Sequence, residues 1–122
     1  MDRPVLQPTA EHPITVRPSE RRVVVRVGGE VVAETTDALT LHEADYPAVQ
    51  YVPLADVDRA LLRPSPTESY CPYKGECRYY TIVTHDGEIG DAVWAYDRPY
   101  PAVAEIAGHV AFYPDKVAIE ES

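Results

Sequence analysis

The chain has 122 residues, 45% of them hydrophobic and 25% charged, which is enough for one buried core and too apolar for disorder. Its formal net charge of −9 and its scattered arginines argue against nucleic acid as a partner, because that contact needs clustered Lys and Arg to displace counterions. No apolar run approaches a membrane span, and the opening MDRPVLQPTAEHP lacks the apolar stretch of a signal peptide, so a soluble, cytoplasmic protein is expected.

Residues 1–19 are proline-rich and show no hydrophobic period, which predicts an extended N-terminal arm ahead of a single domain over 20–122. Arg21–Val27 is β-branched, Gly28-Gly29-Glu30 supplies a turn, and Val31–Thr35 returns, the pattern of a hairpin. Ala38–His42 and Tyr51-Val52 are further strand candidates. Over Ala55–Leu62 the residues Leu54, Val57 and Leu61 recur at helical spacing, with Asp56 and Asp58 in the first turn, where the helix dipole favours negative charge. A short helix is predicted there, stopped by Arg63-Pro64-Ser65-Pro66.

Ser69–Gly75 reads as a loop. Arg78–Thr84 and Ile89–Tyr96 form a second hairpin about His85-Asp86-Gly87-Glu88. Pro101–Ala107 reads as a second short helix with Gly108 as its stop. Val110–Tyr113 and Lys116–Glu120 end the chain as strands. The expected fold is therefore mainly β: a single compact domain of mostly antiparallel sheets built from hairpins, with one or two short helices.

The densest cluster of reactive groups is Ser69-Tyr70-Cys71-Pro72-Tyr73-Lys74-Gly75-Glu76-Cys77-Arg78-Tyr79. It puts a thiol, an amine and phenols on a loop that feeds a strand, where functional groups concentrate. Cys71 and Lys74 are the catalytic candidates, since an ammonium three residues away favours the thiolate. Tyr79, Trp94, Tyr96, Phe112 and Tyr113 fall on predicted neighbouring strands, and alternation puts Trp94 and Tyr96 on one face. Such a face is either core or the wall of a binding site. With Lys74 and Arg78 as a cationic rim, the site composed of Ser69, Cys71, Tyr73, Lys74, Arg78, Trp94 and Tyr96 suits a small molecule bearing a carboxylate, phosphate or carbonyl.

The run Cys71-Pro72-Tyr73-Lys74-Gly75, the later Ala92-Val93-Trp94-Ala95-Tyr96 and the closing Gly108-His109-Val110-Ala111-Phe112-Tyr113-Pro114-Asp115 resemble the DUF427 family of bacterial and fungal proteins. The resemblance spans roughly Val23–Glu120. It implies a compact domain of coiled β-sheets with the three motifs near one another, and it brings a nucleotidyltransferase-like label in some classifications. The family usually has Thr where this chain has Ser69, which keeps the hydroxyl, and a small residue where it has Cys77.

The residues themselves offer little for nucleotidyl transfer. That chemistry needs carboxylates sharing Mg²⁺, whereas Asp56 and Asp58 on a helix would diverge by about 200°. Cys71 and Cys77 with scattered His42, His85 and His109 fall short of the two close ligand pairs of a zinc site. A permanent Cys71–Cys77 disulfide does not suit a cytoplasmic setting. Glu43 with Asp45, and Asp86 with Glu88, lie in polar turn-like stretches and read as solvated surface. No cofactor and no metal follow from this sequence. Three functions remain: a small-molecule-binding domain, a regulatory or protein-interaction module that uses the same loop to dock, and a nucleotidyltransferase-like enzyme.

Overall fold

A computed structural model describes residues 3–122. Ten strands follow in chain order: β1 (Ile14–Pro18), β2 (Val23–Val27), β3 (Glu30–Thr35), β4 (Leu39–Glu43), β5 (Val49–Pro53), β6 (Leu62–Cys71), β7 (Gly75–Thr84), β8 (Gly87–Ala95), β9 (His109–Phe112) and β10 (Ala118–Glu121). They form a seven-stranded sheet in the order β1-β4-β5-β9-β8-β7-β6 and a three-stranded sheet in the order β10-β2-β3. Every pairing is antiparallel. No helix among the described residues is long and apolar enough to cross a membrane.

Both predicted hairpins form. Gly28, with φ +60°, turns β2 into β3, and Gly87, with φ +129°, opens β8. Both are backbone conformations that glycine adopts without a side-chain clash. Period-two alternation then sorts the side chains. One face of the large sheet packs Ile82, Val93, Val110 and Phe112 against Val23, Val25 and Val32 of the small sheet. The opposite face carries a second cluster around Leu41, Tyr51, Cys77, Tyr96, Val103, Ile106 and Ala111.

The structure departs from the sequence reading at four places. Ile14–Pro18, expected in the extended arm, is edge strand β1, paired with β4 so that Ile14 lies opposite Glu43. The helix expected over Ala55–Leu62 is instead two single 3-10 turns, Leu54–Asp56 and Arg59–Leu61. Between them Val57 is extended and bridges to Ala33, and the Asp58 side chain accepts a hydrogen bond from the Ala60 N–H. Burial of a β-branched residue and local capping by an aspartate both compete with helix there.

The proline run after it, read as a stop and followed by a loop from Ser69, belongs to the ten-residue strand β6. Pro64 and Pro66 are tolerated because β6 is the sheet's edge, where a missing N–H breaks no inner ladder. Pro101–Ile106 is 3-10 rather than α, kinked at Val103.

Candidate functional site

Alternation on the central strands builds a floor of rings. Tyr79 of β7 stands directly opposite Trp94 of β8, Cys77 lies two residues before Tyr79, and Tyr96 two residues after Trp94, all on one face. Tyr51 of β5 accepts a hydrogen bond from the Trp94 indole N–H at 3.2 Å, with the two rings edge to face. Tyr113, just past β9, lies with its ring centroid 4.5 Å from that of Trp94. These rings line a hollow of about 230 Å³. After Glu43 a tight turn, with Ala44 at φ +49° and the Tyr46 N–H bonded to the Glu43 carbonyl at 2.9 Å, sets Tyr46 and Pro47 at its rim.

The Cys71-to-Gly75 bend closes one end. β6 meets β7 there through Pro72-Tyr73-Lys74, and Gly75 at φ +114° completes the reversal. A Cβ at this glycine would sit 3.3 Å from the Arg98 carbonyl oxygen, so a larger residue would crowd that carbonyl as well as strain the backbone. Backbone bonds fasten the bend from two sides: Tyr100 N–H to the Lys74 carbonyl at 2.9 Å and Leu6 N–H to the Pro72 carbonyl at 3.0 Å.

The bend aims Lys74 inward. Its side chain is 9% exposed, and its ammonium donates to Glu43 Oε1, whose side chain is 15% exposed. The Cys71 sulfur lies 3.9 Å from the same ammonium. His12 Nε2 is 2.8 Å from the other Glu43 oxygen, and the His12 ring stacks on Tyr73 with centroids 4.2 Å apart. Both Lys74 and Glu43 line the hollow.

Burial alone would push the Glu43 carboxyl up, but the bonds from Lys74 and then His12 outweigh it and hold the group below its ordinary value. Burial pushes the Tyr51 and Tyr96 hydroxyls well above theirs, and Tyr113 up to about 12. Burial also raises the Cys77 thiol. At neutral pH Tyr51, Tyr96, Tyr113 and Cys77 therefore present neutral groups to the hollow, beside the Lys74–Glu43 ion pair.

The residues singled out in the sequence divide into three groups. Lys74, Trp94 and Tyr96 line the hollow together. Ser69, Cys71 and Tyr73 surround it at one remove: Ser69 Oγ bonds the Tyr79 hydroxyl at 2.8 Å, Cys71 packs beside the second cluster, and Tyr73 supports His12. Arg78 does not join them. It falls between Cys77 and Tyr79, so alternation turns it to the opposite face, where it pairs with Asp97 at 2.8 Å and donates to the Tyr80 hydroxyl at 2.6 Å.

Arg78 lines a separate polar hollow of about 580 Å³ with Arg3, Glu68 and Arg98. In place of the expected cationic rim of Lys74 and Arg78, the hollow has one buried lysine paired with Glu43. Asp56 accepts from Thr35 Oγ1 at 2.6 Å, while Asp58 caps its own turn.

Glu43 and His12 were not legible as site residues. Glu43, read as solvated surface, is instead the carboxylate partner of Lys74, and both of its partners lie 31 residues away in sequence. Tyr51 and Tyr46 also line the hollow without having been singled out.

A family model described as a domain of unknown function, DUF427, matches residues 15–122, and the chain belongs to that family. The match begins inside β1, in keeping with that strand being part of the domain. No curated protein matches the chain.

Proposed function

We propose that this DUF427 domain binds a small, planar, polar molecule in the ring-walled hollow beside the Cys-Pro-Tyr-Lys-Gly bend. The observation that carries the reading is a hollow of about 230 Å³ with Tyr51, Tyr79, Trp94, Tyr96 and Tyr113 around it and the Lys74–Glu43 pair at one end. Apolar walls with a few fixed polar groups are the usual make-up of a small-molecule site. The volume lies below the ~300–1,000 Å³ typical of drug-sized ligands, so it suits one ring system. Stacking on aromatic side chains is worth about 1–3 kcal/mol per base-like ring. Because Glu43 already neutralises Lys74, a bare anion would have to displace a carboxylate, which favours an uncharged ligand over a phosphate.

Trp94 is the chain's single tryptophan, so its fluorescence reports on the hollow directly. Titration with fused bicyclic heterocycles should quench or shift that emission, whereas inorganic phosphate and acetate should leave it unchanged. A silent response to every planar probe, or a response to phosphate alone, would overturn the reading. A second reading, docking of a partner protein, is favoured by Tyr46, 62% exposed at the rim. It predicts a Tyr46-dependent complex that no small planar molecule competes away.

A further inference from the structure

Resting on the ring-walled hollow as a binding site, we infer that its ligand presents an amide-type edge, an N–H donor beside a C=O acceptor, to the Lys74–Glu43 pair. A fused heterocyclic lactam of the kind found in oxopurines and pterins is the chemical class that fits. The argument is one of valence. An ammonium has three N–H donors. Among the described residues, one goes to Glu43 and another faces the Cys71 sulfur, a weak acceptor, at 3.9 Å. A third N–H is left over.

Each Glu43 oxygen takes one bond, Oε1 from Lys74 and Oε2 from His12. A carboxylate oxygen accepts two, so the group has acceptor capacity to spare. A spare donor and a spare acceptor thus stand side by side, as the C=O and N–H of a lactam edge do. Lys donating to a ring carbonyl, and a carboxylate accepting from a base N–H, are each known contacts to base edges.

The surroundings select the same class. The Trp94 indole N–H is taken by the Tyr51 hydroxyl oxygen at 3.2 Å, and the Tyr79 hydroxyl is bonded to Ser69 at 2.8 Å. The walls offer broad ring faces, while the charged groups stand together at the end closed by the bend. A ligand with only acceptors would leave the spare lone pairs of Glu43 unused, and one with only donors would leave the spare Lys74 N–H unused.

The test is calorimetric titration of the full chain with 9-methylhypoxanthine, which carries the lactam edge, and with 9-methylpurine, which has the same rings but neither the carbonyl nor the N–H. The expected result is that the lactam binds at least about tenfold more tightly, as for charge-assisted hydrogen bonds. The double variant Glu43→Leu/Lys74→Met removes both charges together, and replacing a buried pair by apolar residues is often tolerated. It should bind the two probes equally.

Equal binding of both probes to the wild-type chain would overturn the amide-edge inference while leaving the ring-walled site standing. Binding of neither probe would remove both. A lactam preference that survives in the double variant would also overturn the inference, since the edge would then be read elsewhere. The wild-type comparison stands even if the variant fails to fold.

Discussion

The two faces of the seven-stranded sheet are made by the same strands and differ in what alternation delivers to them. On one face Ile82, Val93, Val110 and Phe112 close against the small sheet with Val23, Val25 and Val32, and this side is dry. On the other, the same β7, β8 and β9 and the residues just past them send out Cys77, Tyr79, Trp94, Tyr96 and Tyr113, which enclose a hollow rather than filling it. Small β-branched side chains fit between sheets about 10 Å apart. Large rings with polar tips need partners for their hydroxyls, and here those partners and one ion pair leave a gap. One face supports the fold and the other holds the candidate site.

The largest effect that would sharpen this contrast is on the dry face. Ile82 is fully buried, and Ile82→Ala should lower stability by about 2–5 kcal/mol in urea unfolding, without altering the Trp94 emission of the folded chain. A comparable loss from truncating Trp94 or Tyr79 would blur the distinction between the faces.

Next comes the ion pair. Lys74→Met leaves the Glu43 carboxylate with His12 alone and should lower stability by about 2–3 kcal/mol, below the ~3–5 kcal/mol of fully buried pairs because Glu43 is partly exposed and keeps that partner. Glu43→Leu/Lys74→Met should recover most of that loss. If the double variant were as unstable as the single one, the pair would be structural cement rather than a polar fixture of the hollow.

A smaller effect appears in acid. Glu43 has a folded value below its ordinary 4.5, so the folded chain keeps the carboxylate ionised to lower pH than the unfolded chain does. Its contribution is therefore fully present above the ordinary value and is lost as pH falls through the folded one. Glu43→Gln should flatten the acid limb of the stability–pH curve as pH falls below the ordinary 4.5, measured by urea midpoint.

The smallest effect on stability belongs to Tyr46. Its ring is mostly exposed, so Tyr46→Ala should change stability by less than about 0.5 kcal/mol. It should nevertheless weaken binding of planar probes, read by Trp94 fluorescence, if the rim closes on the ligand.

The hairpins were legible because Gly28 and Gly87 sit between alternating β-branched runs, so local pattern and turn chemistry agree. The ring wall was legible for the same reason: Trp94 and Tyr96 are two apart on a strand. Arg78 was open to the same logic, since its place between Cys77 and Tyr79 already turns it away from them.

What local pattern cannot carry is the identity of an edge. Pro64 and Pro66 look like strand breakers until β6 is known to lie at the margin of the sheet. Ile14–Pro18 looks like an arm until β4 accepts it as a neighbour. Val57 sits at helical spacing, yet its burial and its bridge to Ala33 draw it into extended backbone. Glu43 reads as solvated surface and His12 as part of the arm because the Lys74 pairing crosses from the bend to β4, and only the docking of β1 on β4 brings His12 within reach.

The most direct test of the ring-walled face as the binding face is ¹H–¹⁵N and ¹H–¹³C NMR of the full chain, titrated with a fused heterocyclic probe such as 9-methylhypoxanthine. The account predicts concentration-dependent shifts of the Trp94 indole N–H and of Tyr51, Tyr79 and Tyr96, while the methyls of Ile82, Val93 and Val110 stay in place. Shifts confined to the dry face or to the polar hollow around Arg78, or no shifts at all, would contradict it.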